Sequence, residues 1–229
     1  PVAPEVVEAM IPVLFHTFGN PSSTHAFGRQ AKALLENSRR SIAQTLNCAP
    51  SELIFTSGGT EADNMALHAA VTQLGVKRII TTAIEHHAVG HTAEALKVSD
   101  GIEVVYLTLD EKGNINLQEL EQLLQEQIPT IVSLMHANNE IATLLPLAEV
   151  AQLCRQNGAY FHSDTVQTMG HYHFDLAALD IDFITCAAHK FHGPKGIGFL
   201  YVNKKTRVNP LIHGGSQERG LRGGTENIA

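Results

Sequence analysis

The sequence predicts an α/β fold built on a mostly parallel sheet, and two observations carry that reading. Short apolar runs, bounded by turn residues, recur along the 229 residues. Between most of them lie helical patterns of about ten residues or more, with apolar positions three and four apart. Parallel strands need a crossover between them, so this alternation describes βαβ units.

Residues 4 to 14 read as a helix through Val6, Val7, Met10, Val13 and Leu14, with Pro12 working against it. Gly19-Asn20-Pro21-Ser22-Ser23 is a loop. Residues 26 to 46 carry an amphipathic pattern (Ala31, Leu34, Leu35, Ile42, Leu46) and predict a long helix. Strand-like runs then follow at Leu53 to Thr56, Arg78 to Thr82, Glu103 to Leu107, Thr130 to Met135, Ala159 to His162, Phe183 to Cys186 and Ile197 to Val202. Helical patterns occupy about 60 to 74, 88 to 98, 117 to 127 and 146 to 157. No repeat, low-complexity tract or linker divides the chain, so residues 1–229 read as one domain.

Composition narrows the functional classes. Hydrophobic residues make up 44% and charged residues 17%, the balance of an ordinary globular domain. The net charge is −7, from 16 basic and 23 acidic residues, with no basic run, which argues against a nucleic-acid partner. No apolar run approaches the roughly 18–20 residues that span a bilayer, and nothing at the start reads as a signal peptide. Cys48, Cys154 and Cys186 lack metal-like or C-x-x-C spacing, which fits reduced thiols and a cytoplasmic location. A start at Pro1 and an end at Ala229 suggest part of a longer protein.

In open parallel sheets, ligands sit beyond the carboxyl ends of the strands. Five of these ends deliver chemistry: Ser57-Gly58-Gly59-Thr60, Glu85-His86-His87, His136-Ala137-Asn138-Asn139-Glu140, Ser163-Asp164-Thr165-Val166-Gln167 and His189-Lys190. Each has a plain structural reading. The Ser-Gly-Gly-Thr turn could only cap a helix, or its bare N–H groups could hold a phosphate; it lacks the Gly-Lys-Ser/Thr ending of a Walker loop. His87 and His91 stand at i, i+4, but without a zincin spacing or clustered cysteines they do not read as a metal site. Asp164 could form a salt bridge or cap, or pair with a protonated heterocyclic nitrogen. Lys190 could be a surface lysine, or one desolvated in a cleft, with a lowered pKa and able to form a Schiff base. An anion cradle, a carboxylate and an amine together describe a site for pyridoxal 5'-phosphate (PLP), with Lys190 on the aldehyde, the helix start on the phosphate and Asp164 on the ring nitrogen.

These segments also resemble the cysteine desulfurases of the NifS/IscS type, within the class V branch of fold-type I PLP enzymes. The matching stretches are Gly19-Asn20-Pro21-Ser22-Ser23 with His25, Phe55 to Glu61, Glu85-His86, Met135 to Ile141, His162 to Gln167, Ala188-His189-Lys190 with Gly193-Pro194-Lys195-Gly196, and His213-Gly214-Gly215 with Glu218-Arg219-Gly220 and Arg222 to Thr225. The resemblance implies a seven-stranded PLP-binding large domain with helices on both faces. It assigns Lys190 as the Schiff-base lysine, with Lys190 and His86 as proton-transfer residues and His86 stacked on the ring. Asp164 pairs with the ring nitrogen and Gln167 bonds the phenolic oxygen. Gly59, Thr60 and His189 hold the phosphate, Asn139 lies beside cofactor and substrate, and Thr225 reaches a partner subunit's cofactor in a homodimer. It further implies L-cysteine as substrate, a sulfur-acceptor protein, and a C-terminal small domain beyond these residues that carries the nucleophilic cysteine and a carboxylate-binding arginine.

Two positions depart from the family pattern. Ala187 stands where a phosphate-binding serine is usual. Gly59 replaces a commoner alanine, an exchange expected to be harmless in a loop that acts through its backbone. The rival readings are another class V PLP enzyme, such as an aminotransferase or selenocysteine lyase, and a non-catalytic cofactor-binding or dimer scaffold.

Overall fold

The computed structural model describes residues 1–229. Six helices and seven strands alternate: α1 (Pro4–His16), α2 (Ala26–Thr45), β1 (Leu53–Thr56), α3 (Gly59–Thr72), β2 (Arg78–Thr81), α4 (His87–Asp100), β3 (Glu103–Tyr106), α5 (Leu117–Gln125), β4 (Thr130–Ser133), α6 (Leu147–Gln156), β5 (Tyr160–Asp164), β6 (Phe183–Ala187) and β7 (Gly198–Val202). One sheet holds all seven strands in the order β1-β7-β6-β5-β4-β2-β3. Only β7 runs against the others, paired antiparallel to both β1 and β6. The ends of β1, β2, β4, β5 and β6 therefore open on one edge.

Two apolar clusters cover the two faces, which makes three layers. On one face, Ala62, Met65, Ala66 and Ala70 of α3 pack with Val89, Ala93 and Leu96 of α4 against Ile79, Ile131, Phe183 and Leu200. On the other, Ala43 of α2, Leu120 and Leu124 of α5, and Val150 and Cys154 of α6 pack against Ile80, Val132, Phe161, Ile184 and Tyr201. The inner strands β2, β4, β6 and β7 are buried at every residue, as strands covered on both faces must be. Edge strand β3 keeps Glu103 and Tyr106 exposed, and the Tyr106 hydroxyl donates to Glu94 at 2.7 Å.

Helix α1 runs through Pro12 without a break and buries none of its side chains. A helix interior that buries nothing has little to lose around Pro12, so proline costs less here than in a packed helix. No helix is long and apolar enough to cross a membrane.

A buried ion pair ties the two ends of the chain together. Arg39 of α2 reaches Glu218 through both terminal nitrogens, at 2.7 and 2.8 Å, and also donates to Leu53 O at 2.8 Å. Glu218 accepts a further bond from Phe55 N at 2.9 Å. Glu218 and Arg219 hold φ of 46° and 59°, the left-handed region that non-glycine residues seldom enter, and the Arg39 pairing fixes the turn there.

Candidate functional site

The site starts with the turn between β1 and α3. Gly58 has φ 152°, a conformation that favours glycine, and no side chain caps the helix. The N–H groups of Gly59, Thr60 and Glu61 consequently have no acceptor in the chain, while Ala62 N is the first to close on Gly58 O. Three bare donors at the positive end of a 14-residue helix form an anion-binding turn. Glu61 is turned away from it, held by Arg222 at 2.8 and 3.1 Å and by Ser57 N at 2.8 Å. Gly59 is not neutral in this packing. A Cβ there would stand 2.8 Å from Val166 Cγ2, so alanine at this position requires Val166 to move. Glycine at this position leaves the backbone donors of the turn in place and gives Val166 room.

Next to the turn, the end of β5 supplies Asp164. Its carboxylate is 5% exposed and accepts Val166 N at 2.8 Å through Oδ1, while Oδ2 has no partner in the chain. Burial, with the neighbouring Asp63 adding to it, pushes the Asp164 carboxyl up to about 7. His86 caps α4, its Nδ1 accepting Ala88 N at 3.1 Å. A nitrogen that accepts is unprotonated, so in the neutral ring the proton sits on Nε2. One nitrogen of His86 and one oxygen each of Asp63 and Asp164 lie within 4.8 Å of one another. A cation bound by all three would take an Asp164 oxygen, the same group that a ring nitrogen would use.

Of the adjacent amides, Asn138 is consumed by structure: Nδ2 donates to Ile84 O at 2.7 Å, and Oδ1 accepts Glu140 N and Ile141 N. Asn139 is exposed and has no side-chain partner, and Gln167 is half-buried and equally free. Lys190 and His189 lie in a short 3-10 turn past the end of β6, and both are exposed. Of the two readings the sequence left open for Lys190, this chain shows the exposed one. The chain leaves the sheet at Ala187, and the turn lifts the lysine clear of the buried strand. Thr225 is exposed and lines a cleft with Ser57, Gly196, Ile197 and Arg222 on the β1 side, with no hydrogen bond to the other residues.

Three further residues belong to this region: Glu85 and His162, which stood in the matched stretches without a role, and Asp63, which the sequence did not single out. Glu85 accepts Thr82 Oγ1 and Met135 N, both at 2.8 Å, pinning the approach to α4 onto the end of β4, and burial pushes it up to about 8. His162 on β5 is fully buried, with Nδ1 2.8 Å from Ser133 Oγ and Nε2 3.0 Å from Thr185 Oγ1. Asp63 on α3, 1% exposed, stands 3.4 Å from His162 Nε2, and its Oδ1 has no hydrogen-bond partner. The available signal for Asp63 was a carboxylate amid Ala62, Met65, Ala66 and Leu67.

None of the three thiols is poised for reaction. Burial raises Cys48 to about 12 and pushes Cys154 and Cys186 up as well.

The family described as Aminotransferase class-V matches residues 1–229. The cysteine desulfurase IscS of Dictyoglomus turgidum is 45% identical over 231 residues, which is 100% of this chain and 58% of that protein. A solved NifS-like protein superposes with a TM-score of 0.93 at 40% identity, over 99% of this chain and 63% of the other. A structure described as SspA in complex with cysteine also gives 0.93, at 37% identity, over 100% of this chain and 66% of the other. The chain therefore spans somewhat more than half the length of its curated relative. With a family match from its first residue to its last, the chain belongs to the class-V aminotransferases.

Proposed function

We propose that this chain is the cofactor-binding part of a PLP-dependent cysteine desulfurase, one that converts L-cysteine to L-alanine and passes the sulfur to an enzyme thiol. The observation that carries the reading is Asp164 at the end of β5, buried, with one oxygen free and a nitrogen of His86 within 4.8 Å.

The residues present fit PLP. The bare N–H groups of Gly59, Thr60 and Glu61 suit a phosphate, and the exposed Thr60 and His189 side chains would add donors to it. Lys190 offers a free amine as the covalent anchor, and Gln167 a free amide for the phenolic oxygen. When bound, the group supplies an electron sink that lets the substrate's α-carbon give up a proton. Asp164 holds the ring nitrogen in its protonated form. His86, with its proton on Nε2, would hold the ring's face and donate there rather than abstract. The Lys190 amine would move the α-proton. Asn139 orients substrate.

The raised thiols of Cys48, Cys154 and Cys186 support a sulfur-accepting cysteine outside these residues, as the desulfurase relatives' greater length allows. Thr225, exposed in a segment held by Arg39–Glu218, suits contact with a second subunit's phosphate in a homodimer. A sulfur-acceptor protein completes the reading.

The test is absorbance. Adding PLP to the chain is expected to give a visible band that Lys190→Ala abolishes; a protein that stays colourless sinks the proposal. Release of alanine from cysteine by these residues alone, at the rate of a full-length relative, would show that one of the three thiols is the acceptor after all.

A further inference from the structure

Asp63 is a charged residue in an apolar place without an evident reason. It faces the sheet from α3, one turn beyond the bare N–H groups of Gly59 and Thr60, and is 1% exposed. Its Oδ1 lacks a hydrogen bond, although His162 Nε2 is only 3.4 Å away. One of its oxygens is within 4.8 Å of an Asp164 oxygen.

The surrounding groups limit the protonation states. From α3 comes Asp63; from β4, the Ser133 hydroxyl; from β5, His162 and Asp164; from β6, the Thr185 hydroxyl; from the start of α4, His86, with Glu85 before it. No lysine or arginine forms an ion pair with any of them. Two buried carboxylates this close, with no cation between them, do not both ionise. Asp164 is the better anion, since Oδ1 receives the Val166 N–H and the unpartnered Oδ2 keeps some contact with solvent. Asp63 receives no backbone donor; the Thr185 hydroxyl, 3.0 Å from His162 Nε2, lies against its carboxyl, and Oδ1 faces that imidazole nitrogen at 3.4 Å. A carboxyl proton placed between Asp63 Oδ1 and His162 Nε2 gives the unpartnered atom a partner. His162 Nδ1–H then donates to Ser133 Oγ.

We propose that Asp63 is a positioning residue: it keeps the one proton that the Asp63–Asp164 pair holds, donates it to His162 Nε2, and so leaves Asp164 the anion that faces the cleft. This rests on the PLP reading only for its purpose, which is to keep the ring-nitrogen partner charged. The carboxyl pairing stands apart from that reading. Because Asp63 and the phosphate turn share one helix, the two contacts to the cofactor are set by one rigid element.

The experiment has two arms. In the cofactor-free chain, carboxyl carbon-13 NMR follows Asp63 and Asp164 from pH 5 to 9. Asp164→Asn is expected to lower the Asp63 midpoint by about one pH unit or more, while Asp63→Asn moves the Asp164 midpoint little, because Asp63 is still neutral when Asp164 ionises. An Asp63 midpoint that moves by less than about 0.3 unit in Asp164→Asn overturns the proposal, and so does an Asp164 midpoint that falls by about one unit in Asp63→Asn; each variant decides without the other. In the second arm, PLP is titrated by its visible band. Asp63→Asn, which still donates to His162, is expected to hold affinity within about 2-fold, while Asp63→Leu, which cannot, weakens it about 10-fold. Asn as damaging as Leu means that Asp63 is needed as an anion and overturns the proposal. If no form of the protein binds PLP, the cofactor reading fails, and the first arm still decides the pairing.

Discussion

Two buried charged clusters, one at the start of β1 and one between α3 and β5, are built in opposite ways. Arg39–Glu218 is complete: two short ion-pair contacts, two backbone partners, and an aromatic ring, Phe55, 4.5 Å below the guanidinium. Asp63–His162–Asp164 has no cation, an unpartnered oxygen on Asp63 and a free one on Asp164. Burial of a charge costs several kcal/mol unless it is paired. The first cluster meets that cost within the chain and is structural. The second leaves it open on the side facing the cleft, as expected where a ligand completes the set.

The largest test of this contrast is Arg39→Ala. It leaves Glu218 buried without a partner and should cost about 3–5 kcal/mol, which for a domain of this size lowers the melting temperature by roughly 6–20 °C. Asp164→Asn should do the reverse in the cofactor-free chain. With a raised carboxyl gone, a gain of about 1–3 kcal/mol is expected at pH 8, while PLP affinity falls about 10–100-fold for want of a charged hydrogen bond. Equal destabilisation by both substitutions in thermal melts would erase the distinction.

A smaller effect comes from pH. Asp63 and Asp164 are raised to about 7 and Glu85 to about 8, so the folded chain holds protons that the unfolded chain has released, and stability falls as pH rises from about 4 towards 8. His162, pushed down to about 4 by burial, acts in the opposite sense, but only below the ordinary histidine value near 6.5. Between pH 6.5 and 8 the carboxyls act alone. The melting temperature of the cofactor-free chain should fall across that window, and less steeply in Asp63→Asn. The smallest effect belongs to Gly59→Ala, which should cost about 1–3 kcal/mol by crowding Val166 and be relieved by Val166→Ala in the double variant.

Much of the scaffold was legible because buried strands and amphipathic helices leave strong apolar patterns. All seven runs became strands, and the helix starts at Pro4, Ala26 and Leu117 lie where periodicity placed them or one residue away. The direction of β7 was not legible, since an apolar run looks the same read either way along the sheet. The exposure of Lys190 was not legible because its neighbour, β6, is fully buried; nothing in Ala188-His189-Lys190 announces that the chain turns out of the sheet there. Asp63 was passed over for a similar reason. An acidic residue in a helix ordinarily faces water, and only the packing of α3 onto β5 and β6 turns it inward.

The lone antiparallel strand has a consequence for how the molecule is made. Leu53 of β1 pairs with Tyr201 of β7, and β1 has no other neighbour in the sheet. At synthesis rates of roughly 5–20 residues per second, β1 waits on the order of ten seconds for its partner to emerge. The phosphate turn that follows β1 is seated against Gly198, the first residue of β7, whose missing Cβ leaves room for Gly58. The turn made early is thus anchored late, after the Lys190 segment already exists, and the site closes only near the end of folding, with the long-range contact that sets its pace.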